Sequence, residues 1–110
     1  MKGKIVLIPF PFTDLTATKL RPALTLLETE RDVVVAFISS RLPEEPSQTE
    51  IVVGEDHPEF PQTGLKRSSA IRLDKITTIS KDLVVGEIGE IGHLLRKTID
   101  ERLKELYTLC

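Results

Sequence analysis

One stretch, Ile5–Leu27, limits the folds open to this chain more than any other part of the sequence. It contains two short apolar runs, Ile5–Ile8 and Pro22–Leu27, each bounded by proline or polar residues. Such runs are typical of β-strands, and the prolines after the first run cannot donate hydrogen bonds to a central ladder. The intervening segment Thr13–Lys19 carries mostly small and hydroxyl side chains, with one acid and one base. The stretch therefore predicts two strands joined by a polar loop, with an arginine at the entrance to the second.

The remaining sequence continues this pattern and ends in a helix. Further strands are predicted at Val33–Ser39, Thr49–Val53, Ser69–Leu73, Ile76–Ile79 and Val84–Ile91, with a bend or bulge at Asp74-Lys75 between the third and the fourth of these. An irregular segment is predicted at His57–Pro61, a positive-φ turn at Gly64, and bulges or close approaches at Gly86 and Gly89. Residues 93–109 repeat apolar side chains at helical spacing. We expect a mainly β fold, a small and strongly curved antiparallel sheet or partly open barrel with a C-terminal α-helix. The helix end, Leu106 to Leu109, either completes the monomer core or contacts a second copy.

Length and composition fit one globular domain, residues 1–110. No segment approaches the roughly 20 apolar residues of a membrane-spanning helix, and the N-terminus lacks the apolar region of a signal peptide. The single cysteine, Cys110, excludes a disulfide within the chain. We therefore expect a cytoplasmic protein with no membrane contact.

The net charge of −2 conceals an uneven distribution. Residues 42–64 contain six acidic residues and no lysine or arginine, whereas the rest of the chain has 15 basic and 11 acidic residues, a net charge of +4. Because screening limits charge effects to about 8–10 Å, a local basic patch can still bind phosphate. The acidic overall balance therefore does not exclude a nucleic-acid ligand, and the acidic segment can equally be a solvated loop.

The sequence lacks the motifs of several common sites. It has no CxxC or HExxH spacing for a metal, no GxxxxGK[ST] phosphate loop and no GxSxG nucleophile elbow. His57 precedes a proline in the acidic segment and His93 begins the helix, so both are expected to be structural or solvent-exposed. We expect no metal site and no cofactor.

The candidates that remain are an arginine and a serine at the ends of neighbouring strands. If strands two and three form a hairpin across Glu28–Asp32, its centre near residue 30 makes Arg21 and Ser39 direct partners. A guanidinium can bind phosphate bidentately, and a hydroxyl can reach the same ligand. The alternative is structural, with Arg21 paired to an acid such as Asp14 and serines capping a turn. The spacing leaves both interpretations open.

Three stretches resemble motifs of a known family. GKIVLIPFPFTDLTATKLRPALTL, Gly3–Leu26, resembles the N-terminal motif of the MazF/PemK-type toxins of bacterial toxin–antitoxin systems. Val35–Ser40 and Ser69–Ile76 are similar to the second and third motifs of that family, in the same order. The resemblance covers nearly the whole chain. It implies a small SH3-like antiparallel barrel, a homodimer, a cognate antitoxin as partner, and metal-independent endoribonuclease activity on single-stranded RNA.

The same resemblance implies roles for individual residues. Arg21 would be the catalytic arginine, Ser39 would match the catalytic Thr/Ser of strand three, and Phe10–Lys19 would be the loop that controls access of RNA. The RNA-binding residues expected from this interpretation are Phe12, Thr13, Lys19, Ser40 and Arg41. Cleavage would proceed by attack of the substrate's own 2′-OH on the adjacent phosphate. The antitoxin is expected to cover the same groove as the RNA.

The chain departs from the family pattern at a few positions. Lys4 stands where an acid is usual, Ser68 where a proline is frequent, and Thr77 where an arginine is common. Loss of a basic residue at Thr77 is expected to weaken RNA binding or alter sequence preference. Because the gyrase-poisoning toxins share a similar barrel, a non-catalytic module that binds a partner or gyrase is the alternative function.

Overall fold

Six antiparallel strands and one long helix form the fold in the computed structural model, which describes residues 1–10 and 19–109. The elements in chain order are β1 Lys4–Phe10, β2 Lys19–Glu28, β3 Asp32–Ser39, β4 Glu50–Val53, α1 Phe60–Thr63, β5 Ser69–Ser80, a 3₁₀ turn Lys81–Leu83, β6 Gly86–Glu90 and α2 His93–Leu106. Most of the predicted loop Phe10–Lys19, with Phe12, Thr13 and Asp14, lies outside the described residues. Neither helix is long and apolar enough to cross a membrane.

The sheet has the order β4-β5-β3-β2-β1-β6, so β4 and β6 are its two edges. These edges approach each other through α1, which follows β4 in the chain and lies against β6. A Cβ on Gly89 would come within 2.3 Å of the Gln62 carbonyl oxygen, and one on Gly64 within 2.0 Å of the Ile88 carbonyl oxygen. Backbones in such close contact require glycine, and Gly64 also has a φ of +73°. The predicted curved antiparallel sheet with a C-terminal helix is confirmed.

The hairpin of β2 and β3 has the register that the sequence predicted. Ala23 pairs with Phe37, Leu24 with Ala36 and Thr25 with Val35. Ala23–Phe37 is the last of these pairs toward the open end of the hairpin, and continuing the register by two residues on each strand would bring Arg21 opposite Ser39. A register shift between Thr25 and Leu27 lies on the turn side of these pairs, and therefore does not move the site end of the hairpin.

Two apolar clusters occupy the two faces of the sheet, because successive strand residues point to opposite sides. Ile5 and Leu24 belong to the first cluster, which Leu95 and Ile99 of α2 cover. The second cluster consists of Val6, Ile8, Ala23, Val33, Val35 and Ile79. Since both faces are packed, the polar groups available for chemistry lie at the ends of the strands.

Several element boundaries differ from those predicted. The helix α2 ends at Leu106 rather than at residue 109, because Tyr107 and Leu109 lie largely outside the core. The segment predicted as irregular instead begins a four-residue helix at Phe60, with Pro61 in its first turn, where a missing N–H costs little. The last strand starts only at Gly86, because Val84 still caps the 3₁₀ turn Lys81–Leu83 by donating its N–H to the Lys81 carbonyl oxygen. Gly86 makes no close approach, whereas Gly89 does.

Candidate functional site

A cavity of about 640 Å³ lies at the end of the β2–β3 hairpin, and we call it cavity A. It is lined by Arg21, Pro22, Phe37, Ile38, Ser39, Ser40, Arg41, Arg72 and Lys75. Four of these side chains are cationic and two are hydroxyls, and no carboxylate is among the described lining residues. The cavity is therefore suited to an anion such as a phosphodiester.

Ser39 ends β3 and has a defined hydrogen-bond partner. The backbone N–H of Arg41 donates to its Oγ at 3.1 Å. This bond corresponds to the turn-capping role that the sequence allowed for the serines. It uses only an acceptor position of the hydroxyl, so the O–H of Ser39 remains able to donate to a ligand in cavity A.

Arg21 is exposed near the start of β2, opposite Ile8 of β1. Its guanidinium has no ion-pair or hydrogen-bond partner within residues 1–10 and 19–109. Asp14, the acid that the sequence offered as its partner, is outside the described residues. Across the part of the chain that the structure describes, the charge of Arg21 is therefore available to a ligand.

Arg72 is already paired. Its Nε and Nη2 donate to the two carboxylate oxygens of Asp74 at 3.1 and 3.0 Å, and Glu50 lies 3.9 Å from Nε. The hydrogen bond to Asp74 raises the pKa of Arg72 despite partial burial. The same bond lowers the pKa of the Asp74 carboxyl, against the opposing effect of burial. Arg72 thus contributes a charge that is fixed in position and partly compensated.

The predicted bulge at Asp74-Lys75 explains how β5 brings its basic residues to the cavity. Along β3 the partner of Ala36 is Ile76, yet the partner of Phe37 is Arg72. Three residues of β5 are therefore accommodated between two successive pairs, and both Arg72 and Lys75 reach cavity A. The bend or bulge predicted at this position is confirmed.

A second cavity of about 380 Å³, cavity B, adjoins the first. It is lined by Leu7, Leu20, Arg21, Pro22, Ile38, Ser40, Gly64, Leu65, Lys66, Arg67, Ser69 and Ile88. Four of these residues, including Arg21 and Ser40, also line cavity A. Arg21 therefore lies where the two cavities meet.

Of the predicted site residues, Arg21, Ser39, Ser40 and Arg41 come together in cavity A. Lys19 begins β2 and is exposed, but it lines neither cavity. Phe12 and Thr13 are outside the described residues. Four of the predicted residues thus share one cavity.

Sequence reasoning missed four basic residues that line the two cavities, Arg72 and Lys75 in cavity A and Lys66 and Arg67 in cavity B. A basic pair two residues after the predicted turn at Gly64 was the available signal for the second set. The bulge that positions the first set was predicted at Asp74-Lys75, but which side chains it brings to the cavity depends on the pairing of β5 with β3.

Of the three residues that depart from the family pattern, Ser68 lies between Arg67 and Ser69, which line cavity B, whereas Lys4 and Thr77 line neither cavity. Lys4 pairs across the sheet with Glu90, with 3.5 Å between Nζ and Oε2. Thr77 pairs with Val35 in the middle of β5. Neither residue lines cavity A or B, so neither can contact a ligand held only there.

The two histidines belong to the support of α2. The Nδ1 of His57 accepts the backbone N–H of Glu59 at 3.0 Å, and Nδ1 of His93 lies 3.8 Å from the Glu59 carboxylate. Among the described residues, no three His, Cys, Asp or Glu side chains are grouped closely enough to hold a metal ion. His57 thus has a structural contact and the side chain of His93 is 91% exposed, in agreement with the prediction that the histidines are structural or solvent-exposed.

Comparison with known proteins gives one family and one fold. A family model of the PemK-like, MazF-like toxins of type II toxin–antitoxin systems matches residues 1–107. A comparison with curated proteins finds no match.

Three solved structures that are similar to this chain are of mycobacterial proteins. The toxin MazF-mt6 of Mycobacterium tuberculosis is 20% identical with a TM-score of 0.74, covering 97% of this chain and 98% of that one. A toxin described as an Mtb toxin is 20% identical with a TM-score of 0.70, and the match covers 94% of this chain and 100% of that one. A mycobacterial endoribonuclease in complex with its cognate antitoxin is 19% identical with a TM-score of 0.65, and the match covers 96% of this chain and 89% of that one. These structures confirm the predicted SH3-like barrel. Because the family match extends over nearly the whole chain, this protein belongs to the PemK-like, MazF-like toxins of type II toxin–antitoxin systems.

Proposed function

We propose that this protein is an endoribonuclease that cleaves single-stranded RNA without a metal ion, with Arg21 and Ser39 as its catalytic residues. The observation that carries the proposal is the meeting of these two side chains in a cationic cavity at one end of the β2–β3 hairpin. Family membership supports it, as does the similarity to a mycobacterial endoribonuclease.

The proposed reaction is a transfer within the RNA. The 2′-oxygen forms a bond to the adjacent phosphorus, the bond from phosphorus to the 5′-oxygen breaks, and the products carry a 2′,3′-cyclic phosphate and a 5′-hydroxyl. The 2′-hydroxyl loses its proton and the 5′-oxygen gains one. Because the reaction requires a 2′-hydroxyl, DNA would not be cleaved.

Charge stabilisation is the part of this reaction that cavity A is equipped to perform. Negative charge grows on the phosphate oxygens in the transition state, and a preorganised cation beside them is a large source of catalysis. Arg21 would supply that charge, since its guanidinium is unpaired in the described part of the chain. Ser39 would donate its O–H to a phosphate oxygen while the N–H of Arg41 holds its Oγ in place.

The partners proposed are an antitoxin and a second copy of the chain. A structure of the same fold contains an endoribonuclease with its cognate antitoxin, and an antitoxin that covers cavity A with an acidic or apolar segment would exclude RNA. For a homodimer, the support is the exposed apolar surface at the end of α2, where Tyr107 is 52% exposed and Leu109 fully exposed. A cytoplasmic location, single-domain organisation and an RNA-binding role for Ser40 and Arg41 remain predictions.

The test is a cleavage assay with purified protein and a long single-stranded RNA in excess EDTA. We expect cleavage by the wild type, with cyclic-phosphate and 5′-hydroxyl ends. Arg21→Ala should reduce the rate by about 10²–10³, the cost of removing one preorganised donor from such a site. Ser39→Ala should reduce the rate as well. Ser39→Thr should cleave at close to the wild-type rate, because threonine keeps the hydroxyl.

The matched control is Arg31→Ala, which removes the same charge from the turn at the other end of the same hairpin. It should cleave like the wild type. Equal activity of Arg21→Ala and Arg31→Ala would refute the proposed catalytic role. An inactive wild-type protein would instead favour the non-catalytic, partner-binding alternative.

A further inference from the structure

Cavity B combines an apolar floor with a basic rim. Leu7, Ile38 and Ile88 contribute apolar surface, and Leu20 adds a side chain that is 49% exposed. Lys66 and Arg67 supply two exposed cationic side chains without an ion-pair partner among the described residues. An apolar surface beside two cations is complementary to a nucleotide, which has a base with apolar faces and a charged phosphate.

The loop that carries Lys66 and Arg67 is held by several hydrogen bonds. Thr63 Oγ1 accepts the backbone N–H of Leu65 at 3.2 Å, and Ser69 Oγ donates to the carbonyl oxygen of Arg67 at 2.9 Å. The contact of Gly64 with the backbone of β6 fixes the start of the loop. The backbone is therefore largely preorganised, which reduces the entropy that ligand binding would cost.

The position of cavity B relative to the proposed catalytic cavity defines what it would hold. Arg21 and Ser40 line both cavities, so a phosphate bound at Arg21 lies at the entrance of each. A volume of about 380 Å³ is within the range of roughly 300–1,000 Å³ that small-ligand sites occupy. One nucleotide attached to that phosphate can extend directly into cavity B.

We propose that cavity B binds the nucleotide next to the cleaved bond, with its base on Leu20 and Ile88 and its further phosphate between Lys66 and Arg67. This inference rests on the proposed nuclease function, which places the scissile phosphate at Arg21. It assigns to Lys66 and Arg67 a role in RNA binding and to Leu20 a role in the choice of the neighbouring base. The RNA would then contact the protein in cavity B as well as in cavity A.

The first experiment measures binding of a fully 2′-O-methylated single-stranded RNA, which cannot be cleaved, at several salt concentrations. Each phosphate neutralised on a single strand contributes about 0.7 to the slope of log affinity against log salt. Because the proposal places one phosphate between the two side chains, the double variant Lys66→Ala with Arg67→Ala should reduce that slope by about 0.7. The matched control, Lys97→Ala with Lys104→Ala, removes two exposed charges from α2 and should leave the slope unchanged.

The second experiment tests the base contact. Strands with a single abasic position, moved step by step along the sequence, should bind the wild type less tightly when the gap is beside the cleaved bond. Leu20→Ala should largely abolish that difference, because the apolar contact is already lost. Leu20 is exposed, and a thermal melt checks that the variant remains folded.

The outcomes separate this inference from the proposed function. If the wild type cleaves RNA but the Lys66/Arg67 variant behaves like the α2 control, cavity B is not a nucleotide site and the nuclease proposal stands. An unchanged abasic penalty in Leu20→Ala would likewise overturn the assignment of the base. If the wild type does not cleave, the nuclease proposal fails, and an unaltered salt slope in the double variant then overturns the phosphate contact as well.

Discussion

The buried carboxylate of Glu59 allows a direct test of how the fold is held together. Glu59 is 6% exposed and accepts the backbone N–H groups of Leu94 and Leu95 at 2.8 and 2.9 Å. These are among the first N–H groups of α2, which have no partner within the helix. Gly92, at the N-cap position, makes no side-chain hydrogen bond, so Glu59 provides the cap from a distant part of the chain.

The cost of Glu59→Gln follows from this geometry. A glutamine has one carbonyl oxygen, so it can accept only one of the two bonds, and its NH₂ then faces the other N–H. A hydrogen bond to a charged group contributes about 1.5–3 kcal/mol. We therefore expect a loss of about 2 kcal/mol in the free energy of unfolding. For a domain of this size that corresponds to a decrease in Tm of roughly 8 °C.

The pH dependence provides a second readout of the same carboxylate. Burial raises the pKa of Glu59, but the hydrogen bonds from Leu95 and Leu94 and the charges of His93 and His57 lower it by more, so the net shift is downward. A carboxyl with a lowered folded-state pKa stabilises the fold fully above its ordinary value of 4.5, and this stabilisation is lost as the pH falls through the folded-state pKa. Glu59→Gln lacks the titrating group and should lose less stability on acidification than the wild type.

The assay is urea unfolding followed by circular dichroism at pH 7 and at steps down to pH 3. The matched control is Glu105→Gln, an exposed carboxyl on the same helix, which should differ from the wild type by no more than about 0.5 kcal/mol. Equal unfolding midpoints for the two variants at neutral pH would refute the capping argument. Parallel pH profiles for the wild type and Glu59→Gln would show that this carboxylate does not carry the acid sensitivity.

Two further predictions concern the closure of the sheet and the family departure in β1. Gly89→Ala should destabilise the protein by about 3 kcal/mol or more, because its Cβ would lie 2.4 Å from the Thr63 backbone. Gly86→Ala, with no atom within 4 Å of its Cβ, should be tolerated; similar melting temperatures for the two would contradict this difference. Lys4→Glu should cost up to about 1 kcal/mol by placing a like charge opposite Glu90. It should leave RNA cleavage unchanged, and a reduced cleavage rate in folded protein would refute the exclusion of Lys4 from the site.

Local sequence patterns predicted much of the fold because local physics specifies it. Apolar runs ending at prolines and polar turns indicated the strands, and a turn centred near residue 30 set the register that pairs Ala23 with Phe37. The same count predicted that Arg21 and Ser39 would meet, and both line cavity A. The boundaries were less accurate. The helical spacing of apolar residues continues to Leu109, but α2 ends at Leu106 because the side chains of Tyr107 and Leu109 are exposed and gain little from packing on the core.

The sequence by itself determined the strands, the helix, the β2–β3 register and the candidate pair Arg21 and Ser39, because each depends on residues that are close along the chain or related by one turn. Only the tertiary structure decided which other cations join them. Lys75 reaches cavity A through a bulge in β5, and Lys66 reaches cavity B because the sheet curls until α1 contacts β6. The first arrangement depends on the pairing of β5 with β3, and the second on the close backbone contacts at Gly64 and Gly89. Side-chain periodicity along the sequence encodes neither.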